Sequence, residues 1–130
     1  MTIAESKIID AIADPIARGY ALLRSGKHQR AIQTFESAGY QKGTVQAQAL
    51  MLEQTHEWQQ AADLWQSIGD AARHAAAMAE FARSKENWEE AARWHHIAGQ
   101  RTLAAEAERA ARAKRAAEAG KITREHPRLF

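Results

Sequence analysis

Small and large apolar residues recur along this chain with a period of 30 residues. The segments 26–39, 56–69 and 86–99 align over their whole length, and each ends in glycine. In the first segment, Ala31, Phe35 and Ala38 lie at i, i+4 and i+7, which is one face of an α-helix. The second segment has Ala, Trp and Ile at these places, and the third has Ala, His and Ala. The pattern predicts one helix per segment, with a small residue and a large ring on its buried face.

Local start signals predict a further helix before each of these segments. Asp14 and Pro15 are an N-cap residue followed by a first helical residue, and Thr2 with Glu5 forms a capping box. Thr44 and Asp70 are N-cap candidates for two more of these helices, and Asn87 is one for the helix of the third segment itself. The predicted helices are 3–12, 15–25, 28–38, 44–55, 57–68, 71–84, 87–98 and about 101–119.

A single helical pair cannot bury its apolar stripe, so stacked pairs bury it together. The fold class that we expect is therefore all-α. It is a right-handed α-solenoid of about three antiparallel helical hairpins, with an N-terminal helix and a C-terminal capping helix. The expected organisation is one domain over 1–119, made of the repeats 12–41, 42–71 and 72–101 with the capping helix 102–119, and then a flexible tail, 120–130.

The stretch "GKHQRAIQTFESA" resembles the second helix of the tetratricopeptide repeat (TPR) family. The matching residues are Gly26, Ala31, Phe35 and Ala38, and the preceding helix has Gly19 and Leu22 at the family's small and large places. The resemblance covers about residues 12–100. The repeat here has 30 residues, against about 34 in the family, and it lacks the family's proline between repeats. The chain is thus similar to a TPR-like helical hairpin protein of a short-repeat variant.

This resemblance implies that the first helix of each pair lines a concave, partner-binding face. The clamp by which some chaperone cofactors hold a C-terminal carboxylate is not expected, because Gln46, Leu50 and Glu80 stand where it would need Asn or Lys. The remaining surface suits an amphipathic helix or an extended peptide. The alternative is that Tyr20 and Leu23 are ordinary core residues under the helix 3–12. The candidate partner-binding residues are Ile16, Tyr20, Leu23, Arg24, Gln46, Leu50, Glu53, Arg73, Glu80 and Arg83.

The last thirty residues carry the positive charge of the chain. Their net charge is +4, whereas residues 1–100 have a net charge of −2. One interpretation is a polar cap, with Arg109 and Arg112 where a further repeat would need apolar contacts. The other is a basic patch for nucleic acid, although the helix also carries acidic residues and no aromatic residue for base stacking. The candidate patch residues are Arg109, Arg112, Lys114, Arg115 and Lys121.

The residue types and motifs do not point to catalysis. There is no cysteine and no phosphate-binding glycine motif. His95 and His96 are adjacent, so they cannot face one metal ion on a regular helix. We expect no catalytic residue, no metal and no cofactor.

We therefore expect a non-catalytic protein–protein interaction module, such as an adaptor, an assembly factor or a small dedicated chaperone. Its partner would be another protein, with self-association as a further expectation and nucleic acid as the alternative. The chain has neither the pattern of a signal peptide nor an apolar run long enough for a membrane span. No membrane partner is expected, and the expected location is the cytoplasm.

Overall fold

The computed structural model describes residues 2–125, and within this range the protein is all-α, as predicted. It has no strand in the described range. The helices are α1 (Ile3–Asp10), α2 (Pro15–Arg24), α3 (His28–Ser37), α4 (Gln41–Gln54), α5 (Trp58–Ser67), α6 (Ala71–Ser84), α7 (Trp88–Ile97) and α8 (Arg101–Glu125).

Side-chain caps set the starts of several helices where the sequence predicts them. Thr2 and Glu5 form the capping box of α1, and the Asp14 carboxylate accepts from the Ile16 N–H before α2. Asp70 accepts from the Arg73 N–H at 3.0 Å, and Asn87 caps α7. These bonds satisfy N–H groups that have no partner inside the helix.

The predicted start of α4 at Thr44 is wrong. The helix begins at Gln41, and Thr44 is a buried residue inside it whose hydroxyl donates to the Tyr40 carbonyl. A threonine can satisfy its hydroxyl in this way within a helix. The turn at Gly39 is also short, since the Tyr40 N–H already donates to the Phe35 carbonyl, and α4 can therefore start at once.

The last helix is longer than predicted, because α8 ends at Glu125 rather than at 119. Alanine, arginine, lysine and glutamate dominate this segment and all favour helix. Lys121 also pairs with Glu125 one turn away at 4.0 Å. Residues 120–125 are therefore helical and not part of the predicted flexible tail. The rest of that predicted tail, 126–130, lies outside the described residues.

The helices recur with the period of the sequence pattern. The helices α3, α5 and α7 each have ten residues, and their first residues are 30 positions apart. Each of them buries its fourth, fifth and eighth residues. This recurrence is compatible with a helical repeat. The buried residues are Ala31, Ile32, Phe35, Ala61, Ala62, Trp65, Ala91, Ala92 and His95.

The turn inside each hairpin needs a left-handed backbone at one residue. Gly26 has a φ of +78°, and the equivalent His56 and Glu86 have φ of +59° and +57°. At each place two backbone N–H groups donate back to the end of the preceding helix, as in a Schellman motif. Glycine adopts this conformation freely, but a residue with a Cβ does not.

Replacing Glu86 with glycine should therefore stabilise the protein. The left-handed conformation costs an L-residue about 1–2 kcal/mol, and the extra freedom of glycine in the unfolded chain offsets about half of the gain. We expect Glu86→Gly to raise the free energy of unfolding by about 0.5–1 kcal/mol, measured by urea unfolding with circular dichroism. His56→Gly should gain less, because His56 stacks on Trp58 at 5.4 Å. The reverse change, Gly26→Ala, should destabilise; equal effects of Glu86→Gly and Gly26→Ala would contradict this account of the turns.

The chain divides into two compact units, Met1–His74 and Ala75–Phe130. In the first unit consecutive helices from α1 to α5 pack on one another. Its core contains Ile9, Ala21, Leu22, Ala31, Ile32, Phe35 and Ala47. In the second unit α7 packs on α8, and Ala82, Ala91, Ala92 and Ala107 form a core of small residues. The single domain over 1–119 and the right-handed solenoid stay predictions.

Membrane-spanning helices are long and predominantly apolar. No helix between residues 2 and 125 combines the length and the apolar character needed to cross a bilayer.

Candidate functional site

The first unit contains a pocket of about 220 Å³ on the predicted partner-binding face. The helices α2, α4 and α5 and the first turn of α6 contribute its walls. Six of the seven lining residues are among those proposed from the sequence. The lining consists of Tyr20, Leu23, Arg24, Gln46, Leu50, Trp65 and Arg73.

Tyr20 is fixed at the pocket wall by hydrogen bonds and ring contacts. Its hydroxyl donates to Gln46 Oε1 at 2.8 Å and lies 3.3 Å from the Tyr40 hydroxyl. Its ring meets Phe35 edge-on, with centroids 5.0 Å apart. Burial, and then the hydrogen bond with Tyr40, raise the pKa of Tyr20 to about 12. The phenol O–H donates to Gln46 and so holds this side chain at the pocket wall.

Trp65 belongs both to the core and to the pocket. Its side chain is only 1% exposed, and its indole N–H donates to Glu53 Oε1 at 2.9 Å. The Arg73 guanidinium lies over the indole ring, 4.9 Å from its centroid, and also pairs with Asp70 at 3.7 Å. The proposed site residue Glu53 thus supports the ring of Trp65 instead of lining the pocket.

The sequence pattern predicts only a packing role for Trp65. One signal could have found its second role: a buried tryptophan needs a partner for its indole N–H. This partner is Glu53 on α4, a helix of the predicted partner-binding face. A ring anchored to that helix lies next to the predicted face.

Three other proposed residues have different surroundings. Ile16 is 38% exposed near the start of α2 and does not line the pocket. Glu80 and Arg83 belong to the second unit and pair with each other at 3.9 Å. The Arg83 guanidinium also lies over the ring of Trp88, 5.6 Å from its centroid.

The helix α8 has exposed arginines at places where α6 has small buried residues, as the predicted capping helix requires. Arg109 and Arg112 are exposed, whereas Ala79 and Ala82, thirty positions earlier in α6, are buried. The buried residues of α8 are Ala104, Ala107 and Ala111. The arginines therefore stand where a further repeat would need small buried residues.

The five residues of the candidate basic patch do not form one continuous free surface, because three of them contact other residues and they lie on different faces of α8. Lys114 donates to the Glu86 carbonyl at 3.3 Å, Arg115 pairs with Glu89, and Lys121 contacts Glu125. Lys114 and Lys121 are seven positions apart and share a helix face, but Arg112 is two positions from Lys114 and so points away from it. Only Arg109 and Arg112 of the five predicted residues have no such partner among the described residues.

The adjacent histidines of α7 have different environments. His95 is fully buried, and its Nδ1 lies 2.8 Å from Gln100 Oε1, so its predicted packing role is confirmed. His96 is exposed, and its Nε2 lies 2.7 Å from Glu108 Oε1 on α8. Between residues 2 and 125 no three His, Cys, Asp or Glu side chains are grouped so that they could hold a metal ion.

Comparisons of the chain with protein-family models, with curated proteins and with solved structures gave no match. The fold therefore defines the class: an all-α protein whose consecutive helices pack in a way compatible with a helical repeat.

Proposed function

We propose that this protein is a TPR-like helical hairpin protein that acts as a non-catalytic protein–protein interaction module. It binds a peptide or an amphipathic helix of a partner protein in the pocket of its first unit. The observation that carries the proposal is the convergence of six predicted partner-binding residues on this pocket.

The size of the pocket supports a protein partner rather than an enclosed small molecule. Sites for drug-sized ligands have volumes of about 300–1,000 Å³, and this pocket has about 220 Å³. It suits one or two anchoring side chains of a larger partner, because a few buried anchors supply most of the binding energy of an interface.

The chemistry of the wall fits the same use. Leu23 and Leu50 provide apolar surface, and the half-buried Tyr20 and Gln46 are held by their mutual hydrogen bond. A preformed wall loses little conformational entropy when a ligand binds. The protein would work as an adaptor, an assembly factor or a small dedicated chaperone in the cytoplasm.

Removing apolar wall from the pocket should weaken peptide binding. Peptides are first selected from a random display library against the full chain, and their dissociation constants are then measured by fluorescence anisotropy. We expect Leu50→Ala and Tyr20→Ala each to raise Kd by about tenfold, or about 1.4 kcal/mol. Arg109→Ala serves as the control, because Arg109 is exposed on α8, and it should leave Kd unchanged. Circular dichroism checks that each variant is folded.

Salt dependence separates this function from nucleic-acid binding. Binding to nucleic acid through several phosphate contacts falls by about 10³-fold or more between 50 and 200 mM salt. Peptide binding in the pocket should change far less over the same range. Failure of the library to yield any peptide, together with salt-sensitive binding of an oligonucleotide that is lost in Arg109→Ala, would overturn the proposed function in favour of the basic helix.

A further inference from the structure

The Arg73 guanidinium lies over the ring of Trp65, whereas the equivalent ring of the preceding repeat, Phe35, has a glycine at this place. Phe35 and Trp65 are equivalent, and so are Gly43 and Arg73, thirty positions apart in each case. Gly43 lies so close to Phe35 that a Cβ there would be 2.6 Å from the ring. In the next repeat the arginine covers the ring instead, at 4.9 Å from its centroid.

Arg73 is held at the rim of the pocket before any ligand binds. The Trp65 ring supports one face of the guanidinium, and Asp70 lies 3.7 Å from its Nε. The planar guanidinium has several N–H groups and matches a carboxylate in two-point contact. Because the side chain is already ordered, binding an anion costs less of its rotamer entropy.

Arg24 provides a second positive charge at the same pocket. It is the last residue of α2, is exposed, and has no ion pair within residues 2–125. The seven lining residues include these two arginines and no carboxylate. The nearby Glu53 already accepts from the Trp65 indole. The pocket therefore combines an apolar wall with two arginine side chains at its rim. Asp70 offsets part of the Arg73 charge, and the unpaired Arg24 makes the rim favourable for an anionic ligand.

We infer that the pocket selects an acidic peptide segment, in which an Asp or Glu side chain lies next to a large apolar side chain. The carboxylate contacts Arg73 and Arg24, and the apolar side chain packs on Leu23 and Leu50. This inference rests on the proposed function and narrows it to one class of partner. It requires no free C-terminus, since the anion is a side chain.

A peptide display library tests the inference directly. Random peptides are displayed inside a carrier protein, so that they have no free terminal carboxylate. The library is selected against the wild-type chain, against Arg24→Glu/Arg73→Glu, and against the control Arg109→Glu/Arg112→Glu. The control changes the net charge by the same amount at exposed positions of α8.

We expect the wild type and the control to enrich Asp or Glu beside Leu, Ile, Phe or Trp. The pocket variant, Arg24→Glu/Arg73→Glu, should lose this enrichment and favour peptides with Lys or Arg. For individual peptides that were selected against the wild-type chain, the Kd of the Arg24→Glu/Arg73→Glu variant should be at least tenfold higher than that of the wild type. Arg24→Glu alone should raise Kd about fivefold, and it keeps the test sharp because Arg24 is exposed and has no packing role to lose.

Each other outcome has a distinct meaning. Enrichment of apolar peptides without an acidic preference, still lost in Leu50→Ala, would overturn the inference and leave the proposed function standing. An acidic preference that persists in the pocket variant but disappears in the α8 control would also overturn it. No enrichment with any chain would defeat both the inference and the proposed function.

Discussion

Replacing Trp65 with alanine should lower the free energy of unfolding by about 3–5 kcal/mol, the usual cost of removing a large ring from a core. Trp65 is 1% exposed and packs in the first unit. The change also leaves Glu53 without the indole N–H, and Arg73 without the ring beneath it. Because domains of this size have only about 5–15 kcal/mol of stability, a large fall in the thermal midpoint is expected by circular dichroism.

Two further variants separate the causes of this loss. Trp65→Phe restores the ring that the preceding repeat has at Phe35 and removes only the hydrogen bond and part of the volume, so it should cost about 1–2 kcal/mol. Trp58→Ala removes the same side chain from a half-buried position at the start of α5. Similar losses for Trp65→Ala and Trp58→Ala would contradict the assignment of Trp65 to the core.

The double role of Trp65 links the fold to the candidate site. Its ring is buried in the core and also forms part of the pocket, and the Arg73 guanidinium lies over it. A change in peptide affinity of a Trp65 variant would therefore combine the effect of lost core stability with the effect of a changed pocket. Arg24→Glu and Leu50→Ala are the cleaner probes of the site, because neither removes a ring from the core.

The arrangement of helices could largely be predicted from the sequence, because it depends on local signals. Alanine and ring positions at helical spacing predicted the three second helices, and Asp14, Asp70 and Asn87 predicted the starts that the structure shows. The start of α4 was missed because Thr44 has the residue type of a cap but is used inside the helix. Residue type alone does not show which of the two roles a threonine takes.

The candidate site was predicted as a face and not as a pocket. The resemblance to TPR proteins implied that the first helices line the binding face, and this was enough to select Tyr20, Leu50 and Arg73. It was not enough to show that Glu53 turns to the indole of Trp65, since that contact depends on the size of a ring on another helix. The strained backbone at His56 and Glu86 had only an indirect signal, namely their alignment with Gly26.

Replacing Gly19 with alanine should destabilise the protein by about 1–3 kcal/mol, which is the cost of overpacking a tight core. On an exposed helix this change would be favourable, because alanine is a better helix former than glycine by about 1 kcal/mol. At Gly19, however, a Cβ would lie 2.4 Å from Phe35 Cε1. Phe35 is fully buried, and its ring meets Tyr20 and Tyr40 edge-on, so moving the ring would disturb these contacts.

Gly120 provides the matched control for this prediction. It lies in α8, where the nearest atom to an added Cβ is the end of the Arg124 side chain at 3.6 Å. Gly120→Ala should therefore be neutral or stabilising by up to about 1 kcal/mol, opposite in sign to Gly19→Ala.

Adding Phe35→Leu to Gly19→Ala should recover part of the loss, because the smaller side chain makes room for the methyl group. If Gly19→Ala raised the thermal midpoint as Gly120→Ala does, the close packing of α2 on the Phe35 ring would be refuted. The small residue at position 19 would then have only a conformational role.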